Sequence, residues 1–290
     1  MHNDIHSSSQ LIYLTVSQWA ARKLDKTVTA ELNTEKSASV NASRVNKYLM
    51  AEADTQLKNI ARLARQARDL VEEHTLPWDA AGNRLVSNLT LFTLLGELGS
   101  VEREFSAAAD AFVADYPTLM AKSIAALGDM ADVNDYPSAE QVRAKFSMAT
   151  ALSPLPAGYD DVRTGLSPEQ VRALNEQYAQ QVKSQFEDAQ ASAFTRLREN
   201  VERMLERLTP TADGKNKQFT YTLVSNLRET VALMASLNVF DSPELKALHS
   251  ALDGQLCRYD VDDLRGSIMV AAEARQTAQS IVDRMASMGL

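Results

Sequence analysis

Few residues in this chain have both the type and the spacing that chemistry needs. Its four histidines are His2, His6, His74 and His249. Two metal ligands on one helical face need a four-residue step, and only His2 and His6 have it, in a terminus expected to fray. His74 falls where a helix is expected to end, a place where a cation suits the helix dipole, and His249 reads as a partly buried helix residue. Cys257 stands alone, so no intramolecular disulfide or cysteine zinc site can form, and it reads as a small apolar residue. Asp260, Asp262 and Asp263 crowd the start of the last expected helix. They lack the glycine and distal glutamate of a calcium loop, and helix N-termini attract acidic residues anyway. Gly96-Glu97-Leu98-Gly99 lacks the Gly-Lys-Ser/Thr ending that cradles phosphates, Asp213-Gly214-Lys215 reads as a turn, and there is no Gly-x-Ser-x-Gly elbow. No metal and no cofactor is expected, and the residues point away from an enzyme.

One constellation stands above this background. At about 100° per residue on a helix, Arg44, Lys47, Lys58, Arg62 and Arg65 fall in one sector, opposite an apolar stripe. Five cations on one face could track phosphates in a salt-dependent, sequence-independent way. Against this, Asp54 and Asp69 share the sector four residues from Lys58 and Arg65, where they form ordinary intrahelical pairs. The net charge of −8 also weakens long-range attraction of nucleic acid. A solvated face is the favoured reading, with a nucleic-acid-binding accessory role as the alternative.

The elements that must carry these residues are mostly helices. The 290 residues are 45% apolar and include only 10 glycines and 8 prolines, the prolines falling between long segments, as in a helical chain. Residues 11–18 alternate with period two and predict a strand; residues 146–152, stopped by Pro154 and Pro156, are its expected partner. The Ser/Thr/Asn-rich residues 33–43 read as a loop. A helix is expected to open at Ala42-Ser43 and run to His74, burying Leu49, Leu57, Ile60, Ala64, Ala67 and Val71. A second is expected from Arg84 to Ala114, broken or kinked at Tyr116-Pro117 and resuming to Leu127. Ser138-Ala139-Glu140-Gln141 and Ser167-Pro168-Glu169-Gln170 are capping boxes, which mark two helix starts. From Ser167 an apolar stripe continues for about 40 residues, roughly 60 Å of helix, which the two upstream helices are expected to flank as a long antiparallel, coiled-coil-like stalk. Thr209 to Lys217 is rich in turn residues. It divides the expected flexible residues 1–10 and stalk region 11–208 from a C-terminal helical subdomain, 209–290, with helices at 219–238, 242–252 and 261–288. The apolar run Leu91 to Gly96 is too short to cross a membrane, and residues 1–6 lack the basic and apolar regions of a secretory signal, so none is expected.

Two segments, Leu14-Thr15-Val16-Ser17-Gln18-Trp19-Ala20-Ala21-Arg22-Lys23-Leu24 and Pro137-Ser138-Ala139-Glu140-Gln141-Val142-Arg143-Ala144-Lys145-Phe146-Ser147, resemble a phage and prophage family known only as a domain of unknown function. The resemblance implies a phage or prophage origin and relatives lying near an AAA+ ATPase of the MoxR type, and it brings no active site. Together with the long apolar seams and the methionines of the last helix (Met269, Met285 and Met288), it leads to the expectation of a non-enzymatic phage interaction protein in the host cytoplasm. Such a protein would bind a second copy of itself or a phage or host protein. A hydrolase whose site assembles only in the fold stays open.

Overall fold

A computed structural model of the chain describes residues 8–155, 167–209 and 242–287, together with Val224, Leu227, Arg228 and Val231. The mainly α class holds, with eight α-helices, a four-stranded sheet and a two-stranded sheet among the described residues. The chain forms two compact units: a larger one of residues 1–13, 72–93 and 151–290, and a smaller one of residues 14–71 and 94–150.

The first strand, β1 (Ser9–Ser17), lies beside its expected partner β6 (Ser147–Pro154). The sheet is nevertheless wider than two strands. On the other side of β1, β5 (Arg84–Ser87) pairs antiparallel with it, setting Ser9 opposite Ser87 and Ile12 opposite Arg84, and β4 (Leu76–Pro77) pairs with β5. The connection between β4 and β5 closes with Trp78 N–H donating to the Asn83 carbonyl at 3.0 Å. Gly82 sits there at φ +94°, in the left-handed region open to glycine. Residues 84–87 therefore do not begin a helix as expected. Four residues are too few to display a period, and their hydrogen bonds go to β1.

In the smaller unit, β2 (Arg22–Leu24) pairs antiparallel with β3 (Asn46–Tyr48). Between them, α1 (Lys26–Glu35) is capped by Asp25, whose carboxylate accepts from Val28 N–H. The helix expected from residue 42 instead begins at Asp54, after β3 and a short 3₁₀ turn at Ala51–Ala53. It is α2 (Asp54–His74). Its expected stripe is sound from Ile60 onward: Ile60, Ala64, Ala67 and Val71 are buried, joined by Leu63. The helix α3 (Asn88–Leu127) runs unbroken through Pro117 for 40 residues, so the proline costs one backbone bond without ending the helix. Phe105, Phe112 and Tyr116 on its buried face meet Phe146 and Trp19 with ring centroids 5.8–6.5 Å apart, edge-on except for the tilted Trp19–Phe112 pair, and the ring quadrupoles favour the edge-on geometry. The short α4 (Ala139–Arg143) starts at the expected Ser138 capping box. Its Arg143 holds it to α3 through Ser106 Oγ at 3.0 Å and the Asp110 carboxylate.

The larger unit is built on α5 (Pro168–Leu208), which opens at the expected Ser167 capping box with proline in its first turn. Its C-terminal half buries Ala189, Ala193, Phe194, Leu197, Val201, Met204 and Leu208. Within this unit α5 packs chiefly along α8 (Ile268–Ser287). Two further helices, α6 (Pro243–Gln255) and α7 (Val261–Gly266), complete this core. The single helix expected over 261–288 is divided at Ser267, where the backbone is extended at φ −132°. No unit edge falls at residue 209, because α5 and α6 to α8 share the larger unit. The expected turn at 209–217 and helix at 219–238 lie outside the described residues, apart from Thr209 and the four residues named above, as do His2 and His6.

Candidate functional site

The five cations expected on one helix do not share one. Arg44 lies in the loop before β3 and Lys47 within β3, so the helical sector that joined them to Lys58, Arg62 and Arg65 does not exist. Lys58 and Arg65 project from α2 into solvent, but each meets an acidic partner on its own helix: Lys58 with Asp54 at 2.6 Å and Arg65 with Asp69 at 3.7 Å. Arg62 donates to the amide oxygens of Asn59 and Gln66 at 3.0–3.3 Å. The exposed face of α2 is thus a set of local pairs, as the solvated reading expects.

Lys47 has moved furthest from its expected role. Its side chain is 8% exposed, and its ammonium faces Asp135 Oδ2 at 2.6 Å and Asp25 Oδ2 at 3.7 Å; it also donates to the Met130 carbonyl at 2.8 Å. Lys23 binds the other oxygen of Asp135. The hydrogen bond to Asp135 holds the Lys47 ammonium above the ordinary lysine range, outweighing the burial that would lower it. Burial alone would raise the Asp135 carboxyl; hydrogen bonds from Lys23 and Lys47 overcome this and keep it below the ordinary value. These charges are spent on one another, and they tie the β2–β3 ribbon to the segment 130–135. The sequence could have offered no signal for this, since Lys47 and Asp135 are 88 positions apart.

Residues 18–22, with the aromatic Trp19, line a cleft of about 290 Å³ in the smaller unit. Gln18, Trp19 and Arg22 form one side, and Tyr48, Met50 and Leu57 face them. The Arg22 guanidinium lies over the Tyr48 ring at 4.5 Å, a cation–π contact that keeps both side chains in place. Trp19 is braced by Phe112 and Tyr116. Ala21, at φ +51°, takes the left-handed conformation unusual for a residue with a Cβ, and its carbonyl accepts from Leu49 N–H at 2.8 Å. Asp54 and Lys58 at the rim are paired with each other. The cleft offers aromatic and aliphatic walls of the size of one large side chain, and no histidine, cysteine or glutamate lines it. Such an arrangement can bind an apolar group.

A family model described as a protein of unknown function, DUF3150, matches residues 7–264. The chain belongs to this family. The match spans both segments on which the family resemblance rests, including the wall of the cleft at residues 18–22. No curated protein and no solved structure matches the chain.

The remaining sequence candidates of this DUF3150 chain have structural positions. His74 closes the last turn of α2 and His249 sits half-buried in α6. Asp260 caps α7, accepting from Val261 N–H, and Asp262 and Asp263 follow in its first turn. Gly96 and Gly99 lie inside α3. Cys257 belongs to the core of the larger unit; burial, with a smaller contribution from Asp253, pushes its thiol up to about 11, which keeps it protonated and unreactive near neutral pH. Two arginines that sequence reasoning passed over close the end of α2. Arg196 donates to the carbonyls of Glu73 and Thr75, and Arg84 to the carbonyl and hydroxyl of Thr75. They satisfy acceptors that a helix C-terminus leaves open.

Proposed function

We propose that this DUF3150 protein is a non-enzymatic, phage-encoded interaction protein of the host cytoplasm. It acts by helix-on-helix contact with a second copy of itself and with a phage or host protein, an AAA+ ATPase of the MoxR type being the class that the resemblance implies. What supports this reading above all is the start of α3, where Leu89 and Phe92 stand three residues apart and are each 81% exposed. Positions three apart share a helix face, so the two side chains present apolar area that favours burial against a partner. The N-terminal half of α5 adds to this: Val171, Leu174 and Tyr178 continue its apolar stripe but are only half-buried.

A second copy is the occupant we assign to the Leu89–Phe92 face, because a two-fold contact lets one patch serve both sides of an interface. Sedimentation velocity over a concentration series tests this. The wild-type chain should shift from monomer toward dimer as concentration rises, and the double variant Leu89→Ser/Phe92→Ser should stay monomeric with an unchanged melting temperature. A wild-type chain that remains monomeric at about 100 μM, a concentration well above typical dissociation constants, would remove the self-association reading.

A further inference from the structure

A second cavity, of about 500 Å³, lies in the smaller unit between α1 and the loop 36–44. Its helical wall is made by Lys26, Thr29, Ala30, Asn33 and Thr34, at steps of three and four residues. These are the positions at which an amphipathic helix carries its apolar stripe. Here that face is polar, so α1 does not use it to build a core.

The opposite wall is held in place by the helix itself. Asn33, only 5% exposed, donates from its amide nitrogen to the Val40 carbonyl at 3.1 Å and accepts from Ser43 Oγ at 2.6 Å. Thr29 Oγ1 accepts from Val45 N–H at 3.0 Å, and the Asn33 carbonyl accepts from Ala38 N–H at 2.8 Å. The loop is thus pinned at both ends before any ligand arrives, which lowers the ordering cost of binding.

The charge of the lining is one-sided. Lys26 and Arg44 are cations, and no aspartate or glutamate lines the cavity, in a chain whose net charge is −8. Neither cation makes a hydrogen bond or ion pair among the described residues, whereas Lys58 and Arg65 on α2 each have a carboxylate. Leu24 and Val40, both substantially exposed, supply apolar area at the same cavity. Its volume falls within the ~300–1,000 Å³ of small-molecule sites.

We propose that this cavity binds a small phosphate monoester carrying a planar apolar group, of mononucleotide size, with its phosphate on Lys26 and Arg44 and its ring against Leu24 and Val40. Arg44 supplies a planar fork that matches phosphate oxygens, and Lys26 adds a point charge.

Isothermal titration of the full chain at low salt with AMP, adenosine and inorganic phosphate tests the assignment. AMP should bind, with phosphate and adenosine each weaker, and Lys26→Ala and Arg44→Ala should each lower AMP affinity by about tenfold with an unchanged melting temperature. Lys122→Ala, an exposed cation on α3 that does not line the cavity, should leave it unaltered. A 5′-phosphorylated trinucleotide serves as the arm for a nucleic-acid end: it should bind no more tightly than AMP. No heat with AMP at about 5 mM, a limit set by millimolar dissociation constants, would overturn the proposal. So would equal losses in Lys122→Ala and Arg44→Ala, or tight binding of the trinucleotide when AMP fails.

Discussion

Lys47 shows how a residue's neighbours in space decide its role. Placed on a helix by sequence periodicity, it would face water; placed in β3, it sits buried between Asp25 and Asp135, with Met130 accepting a further bond. Breaking a buried ion pair leaves an uncompensated charge, which costs about 3–5 kcal/mol. For Lys47→Met we expect about 3 kcal/mol, the lower end of that range, because Lys23 still neutralises Asp135. The pH dependence follows from the two shifts. Asp135 is held below its ordinary value, so its contribution is present above the ordinary carboxylate range and lost as pH falls through the depressed value. Lys47 is held above its ordinary value, so its contribution is present below the ordinary lysine range and lost as pH rises through the raised one. Urea unfolding of wild type and Lys47→Met should therefore give a stability difference that is flat from about pH 5 to 9 and shrinks below about pH 4 and above about pH 10.5. A difference under about 1 kcal/mol, the range of exposed pairs, would show that the pair is not desolvated.

At the scale of elements, local signals proved sufficient wherever they were local in cause. The capping boxes at Ser138 and Ser167 place two helix starts to the residue, since serine and glutamine three positions apart satisfy each other's backbone without outside help. The strand β1 and its neighbour β6 were equally readable from alternation. The short strands were not: β3 and β5 have three and four residues, and only pairing with β2 and β1 gives them their conformation. That gap moved the start of α2 from residue 42 to Asp54, and with it dissolved the five-cation face. Neither the cleft beside Trp19 nor the cavity beside α1 could be read from spacing, because each joins the two sides of a chain reversal. The glycine at position 96 allows a test of α3. It lies inside the helix, exposed, with nothing within 4 Å of where a Cβ would stand. Gly96→Ala should stabilise the protein by about 0.5–1 kcal/mol, read as a higher melting temperature; a lower one would mean that this stretch is not an exposed helix.

For the molecule as a whole, the larger unit joins segments from both ends of the chain, whereas the expected boundary divided the sequence at residue 209. The reason is physical: α5 is long enough to need a partner along its buried half, and α8 supplies it within the same unit, so the helices on either side of residue 209 share one core. Its N-terminal half and the Leu89–Phe92 face keep apolar area that this core does not absorb, and the proposed self-association rests on that surplus. A photo-crosslinking residue in place of Phe92 addresses it most directly, because only a partner seated on that face is captured. The account predicts, on irradiation of the purified chain, a covalent product of twice 31.9 kDa whose crosslink maps to α3 of the second copy. A product confined to the monomer mass, or a crosslink mapping away from α3, would contradict it.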